Sequence, residues 1–315
     1  MKFCGREAAQ VENEQIRVTV LKEGGHVAEI LLKESGVNPL WIPPWKSIEP
    51  SSYDPMRHPE YGQNSESKLL AGIMGHNLCL NMFGPPSAEE AAAGLTVHGE
   101  GSVVPYELDV ADSGIRGSAV LPLAALRFDR TIRLDRQSVL FQETVENLSA
   151  LDLPIAWTQH VTLGPPFVEN GVTKIVHSGV RSEVSAEFGG VADRTTFSTE
   201  AKSGGFATHL MDPKANQAFF NAFNPRQNVT LRYQWRREDF PWLGIWEENR
   251  SRNDAPWNGR TITWGMEFGA SPFPETRREM IDRNALFGVP AFRWLPARGK
   301  ISVEYEALIS SGELK

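Results

Sequence analysis

The segment LPIAWTQHVTLGPP, residues 153–166, decides the fold class. Ile155, Trp157, Val161 and Leu163 fall on one side of an extended chain, together with Gln159. Ala156, Thr158, His160 and Thr162 fall on the other. A period of two marks a strand with one face on a core. Pro165 and Pro166 close it, since proline cannot donate to a sheet ladder. His160 therefore sits on the polar face of a strand, near its end.

The same period recurs outward in both directions. QIRVTVL (15–21) puts Ile16, Val18 and Val20 on one face, NVTLRYQW (228–235) alternates Val229, Leu231, Tyr233 and Trp235 with polar residues, and KISVEYEAL (300–308) does the same with Ile301, Val303 and Tyr305. Further strands are expected at 27–32, 103–110, 126–134, 138–147, 174–177 and 261–268, separated by Gly, Pro, Asn and Asp. Only two segments predict helices. One is SAEEAAAG (87–94), with Ser87 as N-cap, Glu90 three residues later and Gly94 as the stop. The other is PETRREMIDRNALFG (274–288), opened by Pro274 and closed near Gly288. No repeat or linker divides the chain. Many strands and few helices argue for one all-β domain over 1–315, a large antiparallel sandwich. The aperiodic stretch 43–67 is expected to wall or cover a binding site, ordered by Trp45, Tyr53 and Tyr61.

Composition narrows the partners. The chain has 315 residues and a formal net charge of −7, which argues against a broad nucleic-acid surface. Two cysteines, Cys4 and Cys79, form no disulfide framework. The N-terminus has no apolar signal region and no apolar run is long enough for a membrane helix, so a cytoplasmic protein is expected, without membrane or nucleic-acid partner. Self-association as a homodimer is left open.

Two more segments repeat the placement of His160. In GLTVHGE (94–100), strand parity sets Thr96, His98 and Glu100 opposite Leu95 and Val97; in RTITWGMEFG (260–269), it sets Thr261, Thr263, Gly265 and Glu267 opposite Ile262, Trp264, Met266 and Phe268. Gly265 leaves space beside Glu267. Taken singly, each is a solvated strand residue, as are His26, His177 and His209. If the sheet curves, His98, His160 and Glu267 converge, and an imidazole and a carboxylate suit general acid–base chemistry. No metal-ligand spacing, nucleophile elbow or phosphate loop appears, so no metal and no cofactor are expected.

The order TVHGE, WTQHVTLGPPF, WGMEFG, with the paired strands of FDRTIRLDRQSVLFQETVENLSALDLPIAW before the second, resembles the aldose 1-epimerase (galactose mutarotase-like) superfamily over roughly residues 15–310. The resemblance implies a β-supersandwich with a sugar in a concave groove. It implies His160 as the acid that protonates the ring oxygen and Glu267 as the base that takes the anomeric hydroxyl proton. His98 would bind and polarise the sugar near the ring oxygen. The family's Asn-Arg segment is replaced by GHNLCLN, which makes His76, Asn77 and Asn81 candidates for gripping hydroxyls. Glu100 is a further binding candidate beside His98. Glu247 is the first candidate for the family's additional acid and Asp239 the second, with Trp242 and Trp246 as stacking surfaces. Two alternatives stand beside the epimerase. One is a non-catalytic carbohydrate-binding protein. The other is a phosphosugar epimerase or other sugar isomerase, for which Arg57, Arg127 and Arg250 would supply the cations.

Overall fold

The structure, a computed structural model, describes residues 1–111 and 114–314. Two large antiparallel sheets, of eleven and eight strands, account for most of it, with a two-stranded hairpin at 285–290. The all-β sandwich expected from the alternation is present. The eleven-stranded sheet runs, edge to edge, Lys2–Phe3, Arg6–Glu12, Ile16–Leu21, Val27–Leu32, His76–Asn81, Leu153–Leu163, Ile262–Gly269, Trp242–Asn249, Ser203–Met211 and Gly179–Val184. Arg293–Leu295 adds to the start of Leu153–Leu163. The eight-stranded sheet is built around Val229–Arg236, Lys300–Ser311 and Ser138–Asn147.

The apolar faces meet between the sheets. Trp157, Trp264 and Phe268 of one sheet pack on Phe141, Phe220, Tyr233, Trp235 and Tyr305 of the other, all buried. Trp235 and Phe268 stack at 4.2 Å. Fully burying a side chain of this size stabilises by about 1.5–3 kcal/mol. Gln159, on the apolar face by parity, is not stranded there. Its amide donates to Glu143 at 2.6 Å, and Glu143 is held by Arg130 at 2.7 Å and by the Tyr305 hydroxyl at 2.6 Å. A buried polar group demands partners, and this network supplies them behind the strand that carries His160.

The helices are short. Ser87 caps Ala88–Ala92 in a full capping box with Glu90. The second helix is Arg277–Arg283, shorter than the expected 274–288, because Thr276 and Glu279 form its capping box and Asn284 ends it at φ 57°. A third, Ser67–Gly72, was not legible as periodic. The 43–67 segment is ordered by the expected aromatics: Trp45 Nε1 donates to Leu70 O at 2.9 Å, Tyr61 Oη to Lys46 O at 2.7 Å and Tyr53 Oη to Gly62 O at 3.0 Å. No described helix is long and apolar enough to cross a membrane.

Candidate active site

The sheet register builds the site. His160 lies opposite Asn77 on one neighbouring strand and opposite Glu267 on the other. Glu267 in turn lies opposite Gly244. Side chains of directly paired residues project to the same face, so Asn77, His160 and Glu267 form one row. Gly244 contributes no side chain to the row, and the space is filled by the Phe206 ring, which a Cβ there would meet at 2.4 Å. One row along, Gly265 pairs with Thr162 and Trp246. A Cβ on Gly265 would come within 2.7 Å of Glu267 Oε1, so the space expected beside Glu267 is occupied by its own carboxylate.

His160 and Glu267 open onto a cleft of about 620 Å³. His98, His160 and Glu267 all line it, with Trp246, Trp257 and Phe206 as apolar surface. Asn64, Ser65 and Glu66 supply one wall, as expected of the 43–67 segment. His160 Nε2 is 3.1 Å from Glu267 Oε1, and both side chains are at most 5% exposed. The His98 and His160 rings are 5.0 Å apart. Burial holds the His160 imidazolium well below the usual histidine range, with His98 adding to the effect, and burial pushes the Glu267 carboxyl well above the usual carboxylate range. Both shifts favour uncharged forms. His160 Nδ1 is 2.9 Å from Thr162 Oγ1, a hydroxyl that can donate or accept; in the tautomer with Nδ1 protonated, a single further proton serves the Nε2–Oε1 contact. Held by nitrogen it gives imidazolium and carboxylate; held by oxygen it gives the neutral pair. The proton count is the same in both.

His98 reaches the cleft by a different route from the one parity suggested. Residues 96–99 form a turn, not a strand, and His98 has φ 68°. His98 N donates to Gly84 O at 3.2 Å and Leu80 N to His98 O at 3.2 Å, which fixes the turn beside the strand His76–Asn81. Gly99 is required next to it, since a Cβ would lie 2.3 Å from Leu80 O. His98 Nδ1 is 2.6 Å from Phe83 O. A carbonyl only accepts, so Nδ1 carries the proton and Nε2 is an acceptor. Burial lowers its pKa to about 4, leaving the ring neutral at pH 7.

Of the other expected binding residues, Trp246 and Glu247 line the cleft and the rest are placed elsewhere. His76 points into the inter-sheet core, 3.0 Å from Gln159 Oε1 and 3.2 Å from Tyr233 Oη, because it is one residue out of phase with Asn77. Asn77 stands behind His160, its amide 3.5 Å from Nδ1, and does not line the cleft. Asn81 accepts from Arg277 at 2.7 Å. Glu100 is buried under the turn and accepts from Ala124 N at 2.8 Å. Trp242 is fully buried, its Nε1 donating to Pro290 O; only Trp246 of the expected stacking pair lines the cleft. Glu247 borders the cleft, but Arg194 at 2.9 Å and Ser203 Oγ at 2.5 Å engage its carboxylate. Asp239 lies outside it, near Arg236 and Arg293. Arg57, Arg127 and Arg250 are all absent from the lining. Glu66, Glu248, Arg252, Phe206 and Trp257 line it without having been singled out from the sequence; they fall on loops or on strands buried on both faces, where periodicity is silent. Among the described residues, no three His, Cys, Asp or Glu side chains are grouped to hold a metal ion.

This architecture is that of the galactose mutarotase-like proteins. A Klebsiella pneumoniae protein provisionally assigned as an aldose 1-epimerase superposes with a TM-score of 0.74 at 14% identity, over 99% of this chain and 82% of its own. A galactose mutarotase-like protein from Lactobacillus casei gives 0.64 at 12% identity, covering 96% and 100%. An aldose epimerase homologue from C. elegans gives 0.59 at 12%, covering 98% and 99%. No protein-family model and no curated protein sequence matches the chain. At such identities the likeness speaks for the fold, and function has to be argued from the site.

Proposed function

We propose that the protein is an aldose 1-epimerase-type isomerase that opens and recloses a cyclic sugar with the His160–Glu267 pair. The 3.1 Å contact between these two buried side chains, at the cleft surface beside His98, carries the reading. Ring opening of a hemiacetal removes a proton from the hydroxyl O1 and delivers one to the ring oxygen O5. Both oxygens sit on the same carbon, so acid and base must be adjacent. Starting from imidazolium and carboxylate, Glu267 takes the O1 proton and His160 gives its Nε2 proton to O5. The C1–O5 bond breaks as the C1–O1 double bond forms. The pair is then neutral, the form that burial favours, and the charged form that starts the step is reached by moving the shared proton from Glu267 to His160. After rotation about C1–C2, O5 attacks the other face; its proton returns to His160 and Glu267 reprotonates O1.

His98 has a changed part in this scheme. Its Nδ1–H is committed to Phe83, so its Nε2 accepts from a sugar hydroxyl and does not donate to the ring oxygen. Trp246, 6.0 Å from the His160 ring, offers a face to the pyranose. The test is polarimetry on an anomerically pure sugar with catalytic amounts of protein, followed by titration calorimetry. Accelerated interconversion supports the isomerase. Binding without acceleration leaves a carbohydrate-binding protein.

A further inference from the structure

An aromatic run leads away from the acid–base pair. His160 neighbours Trp246 at 6.0 Å, Trp246 neighbours Trp257 at 5.8 Å edge-on, and the Arg252 guanidinium lies 4.5 Å over the Trp257 ring. Arg252 is the one Lys or Arg side chain among the described residues that lines the cleft. It is not free. Its Nη1 and Nη2 donate to Glu66 Oε2 and Oε1 at 3.2 and 2.5 Å, a fork on a carboxylate that also lines the cleft. A planar guanidinium held at both nitrogens and stacked on an indole is fixed in place. Asp254, more than half exposed, adds a third contact at 3.5 Å. Glu66 is itself anchored, since it is the N-cap of Ser67–Gly72 and its N–H donates to Asn64 Oδ1 at 3.0 Å. The other acidic side chains of the lining are Glu187, Glu248, Glu247, which Arg194 engages, and Glu267, which burial holds toward its uncharged form.

We propose that Glu66 is a specificity-determining residue: its carboxylate occupies Arg252, where an anionic group remote from the anomeric carbon of a sugar would otherwise bind, and so excludes negatively charged sugars from the cleft. The proposal rests on the epimerase reading above. Its physical basis is that a phosphate or carboxylate entering the cleft meets a cation already neutralised by Glu66, with the carboxylates of Glu187 and Glu248 also on the lining, and like charges brought together repel. Removing the Glu66 charge releases the fork of Arg252 toward the cleft, so a rejecting contact becomes an attracting one.

Three substrates decide it: a neutral aldohexose, the matching 6-phosphate and the matching uronic acid, with anomer interconversion followed by exchange NMR. Wild type should favour the neutral sugar in kcat/KM by about tenfold or more over each anion. Glu66→Gln should narrow that ratio by about tenfold, and adding Arg252→Met should cancel the gain. Glu66→Ser, which keeps a side chain suited to an N-cap, replaces the glutamine variant if that variant does not fold. A wild type that turns over an anionic sugar as well as the neutral one overturns the proposal and leaves the epimerase standing. So does a folded Glu66 variant with an unchanged ratio. A wild type that accelerates none of the three removes the epimerase reading, and the proposal with it.

Discussion

Replacing Gly265 by alanine should damage catalysis while sparing the fold. An alanine Cβ would sit 2.7 Å from Glu267 Oε1, 3.1 Å from Trp246 Cε3 and 3.2 Å from Trp246 Cβ. Ordinary contact begins near 3.4 Å, so the carboxylate must retreat by about 0.7 Å. No backbone atom is among these nearest contacts, and the Gly265 backbone is not left-handed, so the strand can accept the methyl. The flexible member is the Glu267 side chain, and its movement stretches or breaks the 3.1 Å contact with His160. A misplacement of this order in a reacting group costs about a hundredfold in rate. Exchange NMR on an anomeric mixture would read kcat, and a thermal melt would read the fold. The expected result is kcat lowered by about two orders of magnitude with Tm within a few degrees of wild type. Wild-type kcat in Gly265→Ala would refute the reasoning, since the carboxylate would then not need its present position.

Two other perturbations probe what holds the site in place. Glu143→Ala leaves Arg130 buried without its counter-charge and strips partners from Gln159, Trp157 and Tyr305; breaking such a pair costs about 3–5 kcal/mol, read as a drop in unfolding free energy by urea titration, and a loss below about 1 kcal/mol would count against a structural role for the network. His26 is fully buried, hydrogen-bonded to Ser102 O at 2.9 Å, and burial lowers its pKa to about 3. The unfolded chain takes up the proton near pH 6.5 and the folded chain does not, so stability falls as pH drops from 6.5 toward 3. Between pH 7 and 4.5 that single group should account for about 2.5 kcal/mol, and a folded His26→Asn variant should show a correspondingly shallower loss of stability with acid.

The fold was legible wherever a strand has a core on one side and solvent on the other. Strands Leu126–Asp135, Ser138–Asn147 and Lys300–Ser311 alternate cleanly because the outer face of their sheet is wet. His76–Asn81 does not alternate, because every residue is buried: one face meets the second sheet and the other lies under loops around the cleft. That is why phase could not be assigned to His76 and Asn77, and why His76 belongs to the core. For His160 and Glu267 parity was enough, since apolar neighbours on both sides fixed the phase of each strand. His98 was expected in the cleft by parity but arrives there through a left-handed turn, whose sequence mark is the following Gly99. Arg252 and Glu66 lie on loops, where spacing carries no information about which side chains meet. Their pairing over 186 residues is a product of the tertiary fold alone.

Glu267→Gln tests the central claim most directly, because it keeps the shape of the side chain and removes the proton acceptor. With a sugar that wild type interconverts, the variant should still bind by calorimetry and melt near the wild-type temperature, while kcat falls by about 10²–10⁴-fold. Undiminished interconversion by the folded variant would contradict the account, and the proton would have to leave O1 for some other group.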